Sequence, residues 1–328
     1  ATYPGGNNDI AKVVQSLPGV SGSVGFRNDI IIRGGGPSEN VYYLDGVEIP
    51  NINHFATQGS AGGPVGLLNV SFIEDVTLST SSFSAKYDNA LSGVLQFNQR
   101  NGNSRNRNLN FRLGASEAAL TFEGPLALPK EDEQAKTTFI ISARRSYLQF
   151  LFKLIDLPFL PDYWDYQYKV DHKIDERNEI SLIGVGSIDN FSVNASDDIT
   201  EEQQATLDQI PIIEQWTSTL GLSWKHRMNN GFLRTTLSGN VLNNEFVRYS
   251  DNIAENGLLF SNNSREVEQK LRVEATKFLG DWSLSYGLSI QRAEYQNSTF
   301  DDENSINFNS EIDFYKYGVL LKQLKVLL

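Results

Sequence analysis

The stretch WSLSYGLSIQ, residues 282–291, decides the fold class: Trp282, Leu284, Tyr286, Leu288 and Ile290 alternate with Ser283, Ser285, Gly287, Ser289 and Gln291. A period of two belongs to an extended strand with one apolar face and one small, polar face. The same texture runs through Trp216–Trp224, Leu233–Val241 and Tyr315–Leu321. Read along the chain, it predicts about ten strands, near 108–115, 118–124, 137–147, 164–174, 179–190, 213–227, 231–249, 265–278, 281–297 and 311–322, with no long helix between them. Many reach the roughly 9–11 residues that a tilted strand needs to cross a bilayer.

Alternation alone fits a soluble sandwich as well as a membrane barrel. Connection lengths favour the barrel. Tight turns at Asp175–Asn178, Met228–Gly231 and Gly280–Asp281 alternate with polar excursions at Ser192–Pro211, Ser250–Ser264 and Ser298–Asn309, and short turns on one rim with long loops on the other are a barrel property. Tyr163, Trp164, Tyr166, Trp216, Trp224 and Trp282 near strand ends suit interfacial girdles.

The first hundred residues differ. Asp9 can cap a short helix whose Ile10, Val13, Val14 and Leu17 share one face, and Pro18-Gly19 stops it. Short apolar runs at 30–32, 41–44, 76–78 and 93–97 then read as strands. This gives a small α+β unit over residues 1–100, a polar linker NGNSRNRN over 101–108, and a strand-rich region over 109–328. Gly34 and Gly35 permit positive φ at a sharp reversal, and Asp45-Gly46 is a hairpin turn signal.

Composition narrows the function. Lys plus Arg number 28 against 40 Asp plus Glu, giving 28 − 40 = −12, which repels nucleic acid. There is no cysteine, hence no thiolate metal site. The longest apolar stretch, Phe150–Leu160, is interrupted by Lys153, Asp156 and Pro158 and falls far short of the roughly 20 residues of a membrane helix. His54, His172 and His226 are scattered, and neither His-Glu-x-x-His nor Gly-x-Ser-x-Gly occurs, so no enzyme and no cofactor is expected. The acidic runs Asp197–Glu202 and Asp301–Glu303 lack EF-hand spacing and read as solvated loop charge.

Three segments of the N-terminal unit, in order and spacing, resemble the plug domain of TonB-dependent outer-membrane receptors. They are DIAKVVQSLPGV (9–20), IIIRGGGPSENVYYLDGVEI (30–49) and FIEDVTLSTSSFSAKYDNALSGVLQF (72–97). The last departs from the family pattern at Tyr87-Asp88, where Tyr-Gly is usual, and at Gln96-Phe97-Asn98, where an isoleucine-rich strand is commoner. The resemblance implies a mainly β protein: a small α+β plug at the N-terminus and part of a transmembrane antiparallel β-barrel, about ten of roughly 22 strands. It implies location in the bacterial outer membrane. The implied partners are outer-membrane lipid, the periplasmic energy-coupling protein TonB, a surface lipoprotein, and a small ligand such as a metal chelate, oligosaccharide or peptide. The implied activity is import of a scarce ligand.

Two other readings stay open: a soluble or surface-anchored β-rich glycan-binding protein, and a plugged barrel serving secretion or assembly. Ligand contacts are expected on the apical loops 22–29 and 51–63, at Phe26, Arg27, His54, Phe55 and Gln58. Arg33, at the end of an apolar strand, is expected to latch plug to wall through barrel carboxylates. The TonB-contacting segment is expected upstream of Asn8, and further barrel strands beyond those present.

Overall fold

In the computed structural model, residues 9–22, 27–56, 62–80, 83–84, 86–87, 89–114, 116–130, 133–194, 200, 204–205, 207 and 209–325 are described. Helix α1 (Ile10–Gln15) starts where Asp9 accepts a hydrogen bond from the Ala11 N–H at 2.9 Å. After β1 (Val20–Ser21) and β2 (Ile31–Ile32), which pair antiparallel, come β3 (Asn40–Leu44), β4 (Val47–Ile49), β5 (Asn53–His54), β6 (Val65–Gly66), β7 (Ile73–Ser79) and β8 (Gly93–Gln99). The main plug sheet has the order β4-β3-β8-β7, with β3 parallel to β8 and the other pairs antiparallel. Asp45 and Gly46, both at positive φ (51° and 87°), make the two-residue β3–β4 turn that their sequence favours. Gly34 lies at φ 83°, and a Cβ on Gly35 would run into the Ser92 side chain.

Ten further strands form one antiparallel sheet in unbroken chain order: β9 (Asn108–Leu113), β10 (Glu117–Pro125), β11 (Thr137–Ser146), β12 (Phe159–Lys173), β13 (Asn178–Val193), β14 (Ile212–Met228), β15 (Gly231–Asp251), β16 (Asn256–Leu279), β17 (Trp282–Asp301) and β18 (Ile306–Lys325). Directly paired residues share a face, so the register can be read as rows. One row runs Phe139, Val170, Leu182, Leu222, Leu237, Leu271, Ile290, Tyr317 across β11–β18. It is apolar throughout and faces away from the plug, with Leu222, Leu237, Leu271, Ile290 and Tyr317 exposed. A row on the other face runs Ser142, Gln167, Val185, Thr219, Asn240, and those residues are buried against or beside the plug. Apolar outside and polar inside inverts the soluble pattern and is that of a transmembrane barrel wall.

The apolar belt drops in register around the wall. From Trp164 the row passes Ile188 and Trp216 and then meets Asn243, Arg265 and Gln296; on β17 the apolar positions lie lower, from Trp282 to Ile290. A level belt on tilted strands must shift in this way. Tyr166 and Tyr168 fit by lying over Gly186 and Gly184 of β13, where an added Cβ would come within 2.7 and 2.3 Å of the rings.

Three expectations need correction. The excursions at Ser250–Ser264 and Ser298–Asn309 are not loops: β15 to β18 continue through them and close in the four-residue turns 252–255 and 302–305. Most residues there are polar and pair across strands beyond the apolar belt, so a polar composition does not by itself mean irregular backbone. The connection 126–136 also lies on the rim of the tight turns, so loop sorting is weaker than the sequence suggested. Tyr163 is no girdle residue, being buried on the plug side, and the short helix α2 (Leu148–Leu154) occupies the β11–β12 connection.

Placing a charge in the belt should disturb assembly where the same change above it does not. Leu271→Arg is expected to lose about 2–4 kcal/mol of barrel stability, seen as a reduced fraction of heat-modifiable, folded protein on gels, whereas Asn263→Arg leaves that fraction unchanged.

Candidate functional site at the plug–wall interface

The plug docks on the wall through polar contacts at three levels. Nearest the tight-turn rim, Lys169 Nζ lies 3.0 Å from Asp45 Oδ2 and donates to the Gln99 carbonyl at 2.9 Å, while Gln167 Nε2 donates to Gln99 Oε1 at 2.8 Å. Further round, Lys270 pairs with Glu48, and the Arg272 guanidinium covers the Tyr43 ring at 5.3 Å. In the middle, Asn69 donates to the wall twice, from its side chain to Ser142 Oγ at 2.8 Å and from its main-chain N–H to Gln167 Oε1 at 2.9 Å. Gly221 lets the wall pack on the plug, since a Cβ there would sit 2.3 Å from Val47 Cγ2. Ile183 and Val185 of β13 complete the plug's apolar core.

The third level is a buried charge network around His54, whose side chain has 0% exposure. Its Nδ1 is 2.6 Å from Asp189 Oδ1 and its Nε2 3.1 Å from Asp165 Oδ2, and its ring stacks on Tyr163 at 4.0 Å. Arg144 bonds Asp165 at 2.6 Å and Glu117 at 3.2 Å, and donates to the main-chain carbonyls of Gly66 and Leu67 in the plug. Arg112 holds the other Glu117 oxygen at 2.9 Å. Three carboxylates, Asp165, Asp189 and Glu117, thus face the Arg112 and Arg144 guanidiniums and the His54 imidazole. Burial works hardest, to lower the His54 pKa, but Asp189 and Asp165 together hold it above its ordinary value.

Each residue expected to act in the site can now be located. Phe26 and Gln58 lie outside the described residues. Arg27, 41% exposed, pairs with Asp29 at 3.0 Å. Asn28 N–H donates to the Gly63 carbonyl at 2.7 Å, joining the two apical loops. His54 and Phe55 converge on Asp189, the Phe55 N–H donating to Oδ2 at 3.0 Å, and the Phe55 ring meets Phe191 edge-on at 6.1 Å. His54 therefore engages wall carboxylates and not the open lumen. Arg33, at φ 50°, is exposed and makes no ion pair among the described residues; the plug–wall ion pairs there come from Asp45, Glu48 and His54. Of the acidic runs, Asp301 caps its own turn through Asn304, while 197–198 and 201–202 lie outside the described residues.

Residues 4–94 match the family model described as the TonB-dependent Receptor Plug Domain. The chain carries a TonB-dependent receptor plug. Among solved structures, this plug and its wall are similar to the copper transporter OprC (TM-score 0.67, 13% identity, 98% of this chain and 49% of that one). They are similar also to a mutant of the ferric enterobactin receptor PfeA from Pseudomonas aeruginosa (TM-score 0.68, 12% identity, 100% and 54%) and to the siderophore receptor PirA from Acinetobacter baumannii (0.61, 14%, 89% and 46%). At such identities the likeness is one of fold. The chain spans about half the length of these structures. Among curated proteins, none matches the sequence.

Missed by sequence reasoning were the wall partners of the TonB-dependent receptor plug: Glu117, Arg144, Asp165, Lys169, Asp189 and Lys270. A signal existed in Tyr163–Asp171, where Asp165, Gln167, Lys169 and Asp171 alternate with Trp164, Tyr166, Tyr168 and Val170. It marks the inner face, but not which plug residue each meets.

Because the His54 pKa is raised on docking, its charged contribution is complete below the ordinary value of 6.5 and fades as pH rises through the raised value. Plug amides around residues 53–67 should therefore exchange hydrogen faster as pH climbs past that point, after correction for intrinsic rates, and His54→Gln should flatten the dependence. Asp165→Ala, which strands Arg144 and His54, is expected to weaken plug docking by about 3–5 kcal/mol in the same measurement.

Proposed function

We propose that residues 1–100 form the plug, 101–108 the linker and 109–328 part of the wall of an outer-membrane importer. It takes up a scarce ligand and is driven by TonB from the periplasm. The observation that carries this reading is the pairing of an outward apolar belt with an inner wall that meets the plug through many hydrogen bonds and ion pairs and a small apolar contact at Ile183 and Val185. Such contacts exchange readily for water, so a pulled plug can leave without exposing a large apolar surface. The bilayer cannot leave β9 and β18 as open edges, which supports further strands closing the cylinder.

The ligand arrives at the rim of the longer connections, where Arg27 and Phe55 stand beside Phe26 and Gln58 in sequence. Metal chelates, oligosaccharides and peptides are the classes considered. A surface lipoprotein and outer-membrane lipid are the other proposed partners.

These 328 residues hold no cysteine, so a pair can be introduced at a chosen point. Asn69→Cys with Ser142→Cys, joined in the full-length receptor, ties plug to wall at a point of direct contact. Uptake should cease under oxidising conditions and return on reduction, with ligand binding retained throughout. Uptake that persists in the oxidised form would overturn the reading, and an export or assembly defect in its place would favour a secretion or assembly role.

A further inference from the structure

Below the Lys270–Glu48 pair, toward the tight-turn rim, a cavity of about 40 Å³ lies between the plug and strands β15 and β16. Lys86 lines it from the plug, and Arg234, Arg272 and Glu274 line it from the wall. The other described lining residues, among them Tyr43, Gly46 and Thr236, are uncharged, so three cations meet one carboxylate. Of the plug carboxylates on adjoining turns and strands, Asp45 pairs with Lys169, Glu48 pairs with Lys270, and Asp75 accepts from Asn98 at 2.8 Å; none of the three lines the cavity. Lys225, directly opposite Arg234 on β14, adds positive charge behind it, and Glu179 faces Lys225 from β13.

Arg234 is the group that calls for a ligand. Its guanidinium reaches the plug, since a Cβ on Gly46 would lie 2.9 Å from Nη1, and both residues line the cavity. Its Nε is nevertheless buried without an acceptor. Glu274, opposite it across the β15–β16 pair, lies 3.7 Å from Arg272 instead, and Arg234 makes no ion pair among the described residues. Lys86 rests over the Tyr87 ring at 4.7 Å and likewise meets no carboxylate among them. Buried donors are normally satisfied, and a guanidinium cannot shed its proton to escape the charge. The matching partner is an acceptor that brings negative charge from outside the chain.

We propose that this cavity holds a small oxyanion, a carboxylate or phosphate, that bridges Lys86 of the plug to Arg234 and Arg272 of the wall. This goes beyond the import reading and does not depend on it. Carboxylate and phosphate oxygens suit the planar donor fork of arginine and the point charge of lysine. A water needs roughly 10–15 Å³ on the same measure, so an ion of four or five heavy atoms fits, whereas a whole drug-sized ligand does not. Because its ligands come from two bodies, the ion binds only the docked pair, and by mass action it holds the plug in place.

Hydrogen exchange on the purified full-length receptor in detergent tests this with sodium phosphate, sodium acetate and glycerol, sodium chloride keeping the ionic strength constant. Plug amides of 43–49 and 96–98 should exchange about tenfold more slowly when phosphate or acetate stands at roughly ten times its dissociation constant, and glycerol should have no effect. Arg234→Gln and Lys86→Gln should each weaken phosphate about tenfold. Glu274→Gln should strengthen it, and Arg265→Gln, on the outward face of β16, should leave it unchanged. Heat-modifiable migration confirms that each variant is folded, and Lys86→Gln, outside the wall, decides if Arg234→Gln fails to assemble. Tighter binding of phosphate than of acetate would identify free inorganic phosphate as the occupant, and the reverse a carboxylate carried by another molecule; either order supports the site. No protection by either ion, equal protection by glycerol, or protection indifferent to both Arg234→Gln and Lys86→Gln would overturn the proposal. The import reading survives each of those results, since it fails only if the oxidised plug still permits uptake.

Discussion

Arg144 stands at the centre of the architecture. It rises from a wall strand, holds Asp165 and Glu117 of that same wall, and reaches two main-chain carbonyls of the plug. A guanidinium so deeply buried is tolerable only when its donors are all directed at acceptors. Plug and wall are thereby obliged to adopt one relative position, because any displacement strands the charge. The apolar contact at Ile183 and Val185 adds adhesion, but adhesion alone would not fix the register.

His54 completes that arrangement in two ways that are both chemically satisfied. Protonated, the ring donates to Asp189 and Asp165. Neutral with its proton on Nδ1, it still donates to Asp189, and Nε2 can accept from the Arg144 guanidinium 3.3 Å away. The network can lose one charge without leaving a ring nitrogen unpaired, which is why the expected effect of pH is a loosening and not a collapse.

Strand number, order and the α+β plug were legible because they depend on period-two alternation and turn chemistry, both local properties. Asp9 as helix cap and Asp45-Gly46 as turn belong to the same class. What could not be read was every contact spanning plug and wall. His54 looked like a loop residue offering an imidazole to a ligand, since nothing within ten residues of it announces Asp165 or Asp189, more than a hundred residues on. Tyr163 looked interfacial because an aromatic at a strand end is ambiguous until its parity relative to Asp165 is known. The supposed loops at 250–264 and 298–309 misled for a related reason: a run of mostly polar residues imitates irregular backbone even where the strand continues.

Those extended strands have a geometric outcome. Above Ile290, β17 continues to Asp301 and β16 and β18 follow it; the outward residues are mostly polar, while Ile306, Phe308, Ile312 and Phe314 of β18 lie on the opposite face. At about 3.3 Å per residue, even steeply inclined strands carry this parapet well clear of the hydrocarbon. Along β15 to β18 the wall is thus carried into the hydrated layer by paired strands that end in four-residue turns.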